Sequence, residues 1–227
     1  ADQRDTTLSR KTKLIGELIE GFRYAYSNNG IFFLLLLLSV TAILMRPYID
    51  LVPGISDQIF NMGPEGLSIL LSATGLGAMV GGIWLARRGK VEGLTKVFTW
   101  SLMISSLALL LFVLSGNIWI GAGLISIVGM TIVAGSITSQ TLIQNTVDPQ
   151  IRGRVISITA VLAWGMPAIG AALMGWLTEF LGFAITLASG AFLTFFLWIW
   201  AHSAGNRVEG MLETGHVADK IKSKSEN

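Results

Sequence analysis

The 227-residue chain has no cysteine, only two histidines and little charge. Without cysteine there is no disulfide framework, no thiol nucleophile and no thiolate metal site. No Gly-x-Ser-x-Gly elbow and no Gly-x-x-x-x-Gly-Lys-Ser/Thr phosphate loop occurs, and His202 and His216 sit late in the chain. An enzyme is therefore not expected, nor a metal or other cofactor. The net charge of +2 is small, and no nucleic-acid partner is expected. Charged residues make up 13% of the chain and hydrophobic ones 52%, against about 25% charged in an ordinary soluble domain. With 26 glycines and a mean hydropathy of +0.65, this much apolar surface cannot be hidden in a core of this size. Lipid is the expected solvent.

What the chain does have is long uncharged runs. Residues 24–45, 66–86, 97–147, 155–178 and 180–206 contain no Asp, Glu, Lys or Arg. A bilayer crossing takes about 20 apolar residues as a helix. The longest run holds two such helices around Ser115-Gly116-Asn117. Six helices are expected, near 31–53, 66–86, 95–114, 118–143, 155–177 and 181–201. In lipid every backbone polar group must be satisfied within a helix or a closed barrel. "IFFLLLLLSV" lacks the alternation of a barrel strand.

Six crossings put 15 of the 16 Lys and Arg on one face, with Arg46 as the exception. By the positive-inside rule that face, with both termini, is cytoplasmic. Residues 1–12 read as a polar segment and lack a signal-peptide pattern. The chain begins without methionine, which leaves processing, trimming or descent from a longer protein open. Leu14, Leu18, Phe22 and Tyr26 recur every fourth residue, so 13–29 reads as an amphipathic interfacial helix, an anchor or a linker. Residues 30–202 form the six-helix domain and 203–227 a cytoplasmic tail.

Small residues recur within the spans. Ala73, Gly77 and Gly81 share a helical face, and Gly165, Gly170 and Gly175 surround Pro167. Such stripes let helix backbones approach in lipid, and the proline kinks its helix. Close packing and a bundle built to rock are both compatible with them.

Three stretches together resemble the second half of a major facilitator superfamily transporter. "SATGLGAMVGGIWLARRGK" (Ser72–Lys90) resembles the glycine-rich helix and basic loop between the second and third helices of each half. "DPQIRGRVIS" (Asp148–Ser157) resembles the loop between the fourth and fifth helices, and "GMPAIGAALMGWLTEFLG" (Gly165–Gly182) the kinked helix that follows. Their order resembles the drug- and siderophore-efflux branch, including enterobactin-exporter-like and macrolide-efflux-like proteins. The likeness covers about Leu14 to His202. It implies an all-α integral membrane fold: six transmembrane helices as inverted three-helix repeats, one half of a major facilitator fold. The chain departs from the superfamily's pattern in having no acid between Ser72 and Ala86. The first half of the fold is absent from it.

Guanidinium groups at helix ends bond to carbonyls, acids or lipid phosphates. Arg87, Arg88, Asp148, Arg152, Gly153 and Arg154 are thus either a cytoplasmic gate or topology anchors. Polar groups at membrane depth are functional candidates. Ser136, Gln140 and Gln144 share a face of the fourth span and either meet a ligand or join helices; Thr74 and Trp164 are further cavity candidates. Arg46 and Asp50 are spaced i, i+4, with Pro47 between them and Pro53 just beyond. They read as an interfacial ion pair, or as an outer gate with Asp50 as a proton-coupling acid.

The function these features imply is half of a secondary active transporter. It is a proton-coupled efflux carrier for a small molecule such as a drug or siderophore, in a bacterial cytoplasmic membrane. Its partners are the bilayer, the substrate, and a missing N-terminal six-helix half or a second copy. The alternatives are a half-sized scaffold or partner subunit, and, against its short loops, the membrane part of an ATP-driven exporter.

Overall fold

The computed structural model describes Arg23, Tyr26 and residues 28–89, 92–147 and 151–213, with side chains to 203. Among the described residues every regular element is a helix. They are α1 (Asn29–Leu44), α2 (Tyr48–Gln58), α3 (Gly63–Arg88), α4 (Leu94–Leu114), α5 (Ile118–Thr146) and α6 (Arg152–Glu213). α1 and α2 follow one another as a single crossing-length stretch of 30 residues. α6 is two helices joined at Gly182, whose φ of 77° and ψ of 164° break the helical path. Its limbs, 152–181 and 183–213, make the fifth and sixth crossings. Among the described residues five apolar stretches are long enough to cross a bilayer, and dividing α6 at Gly182 makes six. The fold is an all-α, multi-pass membrane half-fold.

Local chemistry sets most of the ends. Asn28 caps α1 by accepting from the backbone N–H of Gly30 at 3.2 Å and Ile31 at 3.4 Å, and Asn117 caps α5 by accepting from Trp119 N–H at 2.9 Å. α3 starts with Pro64 and Glu65 and stops at left-handed Gly89, just after Arg87 and Arg88. Acid in the first turn and base in the last both oppose the helix dipole.

Three expectations change. The first helix, expected near 31–53, is interrupted at residues 45–47. Pro47 has no N–H for the Ile43 carbonyl, and Tyr48 N–H turns to Met45 O at 3.3 Å. The boundary expected at 178–180, around Glu179, falls at Gly182, because helix continues until a residue with positive φ ends it. The last helix runs to Glu213, past the expected end at 201. Of the amphipathic segment 13–29, only Arg23, Tyr26, Asn28 and Asn29 are described; Arg23 and Tyr26 are helical and exposed. Residues 1–12 and 214–227 lie outside the described residues.

Backbone-close contacts through glycine decide which helices meet. A Cβ on Gly77 or Gly81 of α3 would run into the carbonyl oxygens of Ser126 and Met130 of α5, and one on Gly129 of α5 into that of Thr74. In the same way Gly170, in the first limb of α6, abuts the Ile43 carbonyl of α1. Crossing two therefore packs on crossing four, and crossing five on crossing one. Gly190 of the sixth crossing lies against Leu44, 2.7 Å from its carbonyl oxygen to an added Cβ, while Gly135 of the fourth lies against Phe98 and Ser101 of the third. Trp100 of the third and Trp198 of the sixth meet in a tilted ring contact, with centroids 6.1 Å apart. Exchanging crossings one, two and three for four, five and six maps this set of pairings onto itself. A repeated three-helix unit has that property.

Two apolar clusters fill the bundle. One lies toward the Arg87 and Arg152 end and includes Phe33, Leu85, Phe98, Ile143 and Val155. The other lies toward the Gln58 and Leu114 end and includes Met45, Leu51, Phe112, Ile125 and Leu187.

Candidate functional site

Between the two apolar clusters lies a polar layer. Its buried members include Ser105, Thr131, Ser139 and Thr159, from three different crossings. A helical span tolerates these hydroxyls because each satisfies its O–H locally. Ser105 donates to Leu102 O at 3.1 Å, Thr131 to Ile127 O at 2.9 Å, Ser139 to Ser136 O at 3.0 Å and Thr159 to Val155 O at 2.9 Å. Their oxygen lone pairs remain for a neighbour. The Thr41 hydroxyl is buried and among the described residues has no hydrogen-bond partner.

This layer borders a cavity of about 60 Å³. Arg46 reaches it from the interruption between α1 and α2 and donates from Nη2 to Ser136 Oγ at 3.1 Å. Twelve residues separate Arg46 from Gln58, roughly 18 Å of helix, so the guanidinium lies well inside the crossing. Glycine holds the interruption in place. Gly170 touches Ile43 and has Pro47 Cγ 2.7 Å from where its Cβ would stand, and Gly190 backs Leu44. A larger residue at either place would push the Arg46 segment away from the fifth or sixth crossing.

A second cavity, of about 170 Å³, shares Gln140, Thr159 and Ala163 with the first and continues past Gln144 to Trp164. Pro167 removes the N–H that the Ala163 carbonyl would meet in an unbroken helix, and Ala163 is one of the residues on the shared wall. Trp164 is 81% exposed, so this passage opens on an uncovered face of the fourth and fifth crossings.

Four of the expected cavity residues meet around these spaces: Ser136, Gln140, Gln144 and Trp164. Thr74 is elsewhere; it is buried where α3 crosses α5, with its hydroxyl donating to Leu70 O at 2.9 Å. Asp50 is exposed, and among the described residues it makes no ion pair with Arg46. Arg46 turns inward to Ser136 although Asp50 follows it by four residues. Gly165 has nothing within 4 Å of an added Cβ, unlike Gly77, Gly81 and Gly170, and Pro167 sits within helical backbone. At the basic end, Arg87 and Arg152 are exposed and Arg154 is half-buried. Arg88 donates to Glu92 O at 3.1 Å, closing its own loop. Gly153 is exposed and open to an added Cβ. Asp148 lies outside the described residues. Among the described residues no three His, Asp or Glu are grouped to hold a metal ion.

The sequence reading missed Thr41, Ser105, Thr131, Ser139 and Thr159. Thr131, Gly135 and Ser139 do recur every fourth residue, a small polar stripe on the face next to Ser136 and Gln140. That signal was legible. What it faces was not.

Six lipid-length crossings with a polar layer held between apolar ends define a multi-pass helical membrane domain of the major facilitator kind. Residues 2–211 match the transmembrane secretion effector family, and the chain belongs to that family. It is 27% identical over 166 residues to macrolide efflux protein A of Streptococcus pyogenes, covering 72% of this chain and 41% of that protein. It has the same identity, over the same length, to macrolide efflux protein A of Enterococcus faecalis, of which 51% is covered. The chain thus spans about half the length of the curated relatives it matches. No solved structure matches it significantly.

Proposed function

We propose that this chain is the C-terminal half of a secondary active transporter working by alternating access. In this reading it exports a small molecule, such as a drug or siderophore, from a bacterial cell at the expense of the proton gradient. Both termini face the cytoplasm, and the chain itself carries out no chemical conversion. The observation that carries the reading is the polar layer with Arg46, enclosed at membrane depth between two apolar clusters. A bundle that only anchored or packed would not need a cation there, because charge at that depth is costly. The relatives' name, macrolide efflux protein A, supports efflux.

The uncovered face beside Trp164 and the chain's coverage of about half its relatives support a second six-helix half, carried upstream or supplied by a second copy. Asp50 is the coupling acid in this proposal. Arg87, Arg88, Asp148, Arg152, Gly153 and Arg154 act at the cytoplasmic end, where contacts that break as the bundle rocks favour one conformer over the other.

The test is accumulation of radiolabelled macrolide and ferric siderophore in cells expressing the gene from its natural start, with and without a protonophore. Lower accumulation that returns to control with the protonophore supports the proposal. Accumulation equal to control for every compound, gradient or not, refutes it in favour of a non-transporting scaffold or partner subunit.

A further inference from the structure

We infer that the Arg46 cavity recognises an anionic group, a carboxylate or similar planar oxyanion, on an otherwise apolar cargo. The inference names the substrate class of the site described above and rests on the transport reading for calling that ligand cargo. It starts from unmatched donors. A guanidinium has five N–H groups and no acceptor, and the structure gives Arg46 one hydrogen bond, to Ser136 Oγ at 3.1 Å. Among the described residues that line the cavity there is no Asp or Glu. Asp50, one turn along, is exposed and makes no ion pair with Arg46 among the described residues. The Thr41 hydroxyl, buried on the wall of the same cavity, has no partner among the described residues.

A cation at this depth without a counter-charge is costly, and so is a buried hydroxyl without a bond. The neighbouring hydroxyls of Ser105, Thr131 and Ser139 spend their O–H groups within their own helices, and among the described residues none of their oxygens accepts from Thr41. A bound oxyanion answers both. Its two oxygens match the guanidinium fork, and the O–H of Thr41 supplies a further donor. The remaining wall includes Leu38, Ala42 and Phe98, which suits an apolar body attached to the charged group. A cationic cargo would meet Arg46 as a like charge.

The probes are benzoate, its uncharged amide and benzylammonium, titrated against the purified chain in lipid nanodiscs and read by calorimetry. Benzoate should bind at least about tenfold more tightly than benzamide, and benzylammonium more weakly than both, as a charge-assisted bond predicts. Arg46→Gln should abolish the preference and Arg46→Lys should keep part of it. Thr41→Val should weaken benzoate several-fold and leave benzamide unchanged. Equal affinity for benzoate and benzamide overturns the inference, as does a preference that survives Arg46→Gln. If Arg46→Gln fails to fold, the wild-type comparison and Thr41→Val decide.

The same titration on the full-length carrier separates cargo from an internal counter-ion. Benzoate preference should persist there; its loss would mean that an acid outside these 227 residues fills the site, which overturns the cargo assignment. Flux without benzoate preference sinks this inference and leaves the transport reading standing. Benzoate preference without flux sinks the transport reading and leaves the anion site.

Discussion

Gly77→Ala tests how this bundle is held together. A Cβ at Gly77 would overlap the backbone carbonyl of Ser126. The obstacle is helix backbone, so no rotamer change relieves it; α3 and α5 must separate. The neighbouring contacts, Gly81 on Met130 and Gly129 on Thr74, belong to the same helix crossing and loosen with it. In lipid no hydrophobic gain compensates lost helix packing. Overpacking of this kind costs about 1–3 kcal/mol, against about 0.5–1 kcal/mol gained by replacing a mid-helix glycine with alanine. The net loss therefore reaches about 2.5 kcal/mol at most, and a contact this close on backbone places it toward the upper end. Gly75 and Gly82 lie on the same helix with nothing within 4 Å of an added Cβ. Gly75→Ala and Gly82→Ala should be neutral or slightly stabilising. The assay is unfolding in mixed micelles by increasing dodecyl sulfate, followed by tryptophan emission and circular dichroism. Gly77→Ala unfolding at the same detergent fraction as Gly82→Ala would refute the close-contact argument.

Gly170→Ala should lower stability by up to about 2.5 kcal/mol on the same reckoning, because its Cβ meets both Ile43 and Pro47 at the interruption of the first crossing. Gly165→Ala, with nothing near it, is the control, and equal thermal unfolding of the two would count against the packing role. The absence of cysteine makes topology directly testable. Gly116→Cys should react with an impermeant maleimide in intact cells, and Arg152→Cys only after permeabilisation; the reverse pattern would invert the orientation. Asp50→Asn in the intact carrier should abolish the pH dependence of transport, and unchanged pH dependence would remove Asp50 as coupling acid.

The number of crossings was legible because lipid leaves a chain few options. An uncharged run of helical length must cross or be hidden, and the basic residues then sort to one face. Within that frame, Gly182 shows where one-dimensional reading slips. The charge of Glu179 marked the end of a run, whereas the helix ended three residues later, at the residue able to take positive φ. Both prolines stood out in the sequence, but only Pro47 falls at a break, Pro53 lying within α2, and the side to which Arg46 turned was not legible. Spacing alone offered Asp50 as its partner; the fold presented Ser136, 90 residues away.

By itself, then, the sequence determined the solvent, the helical class, the crossings and the small-residue faces, since these follow from local hydropathy, charge and side-chain size. Only the tertiary structure decided which faces meet: Gly77 on Ser126, Gly170 on Ile43, and Arg46 in a polar layer with Thr41 and Thr131. The reason is physical. Any apolar or small helix face can pack on many others in lipid, and a cavity is a property of several faces at once, set by backbone approach between residues far apart in the chain.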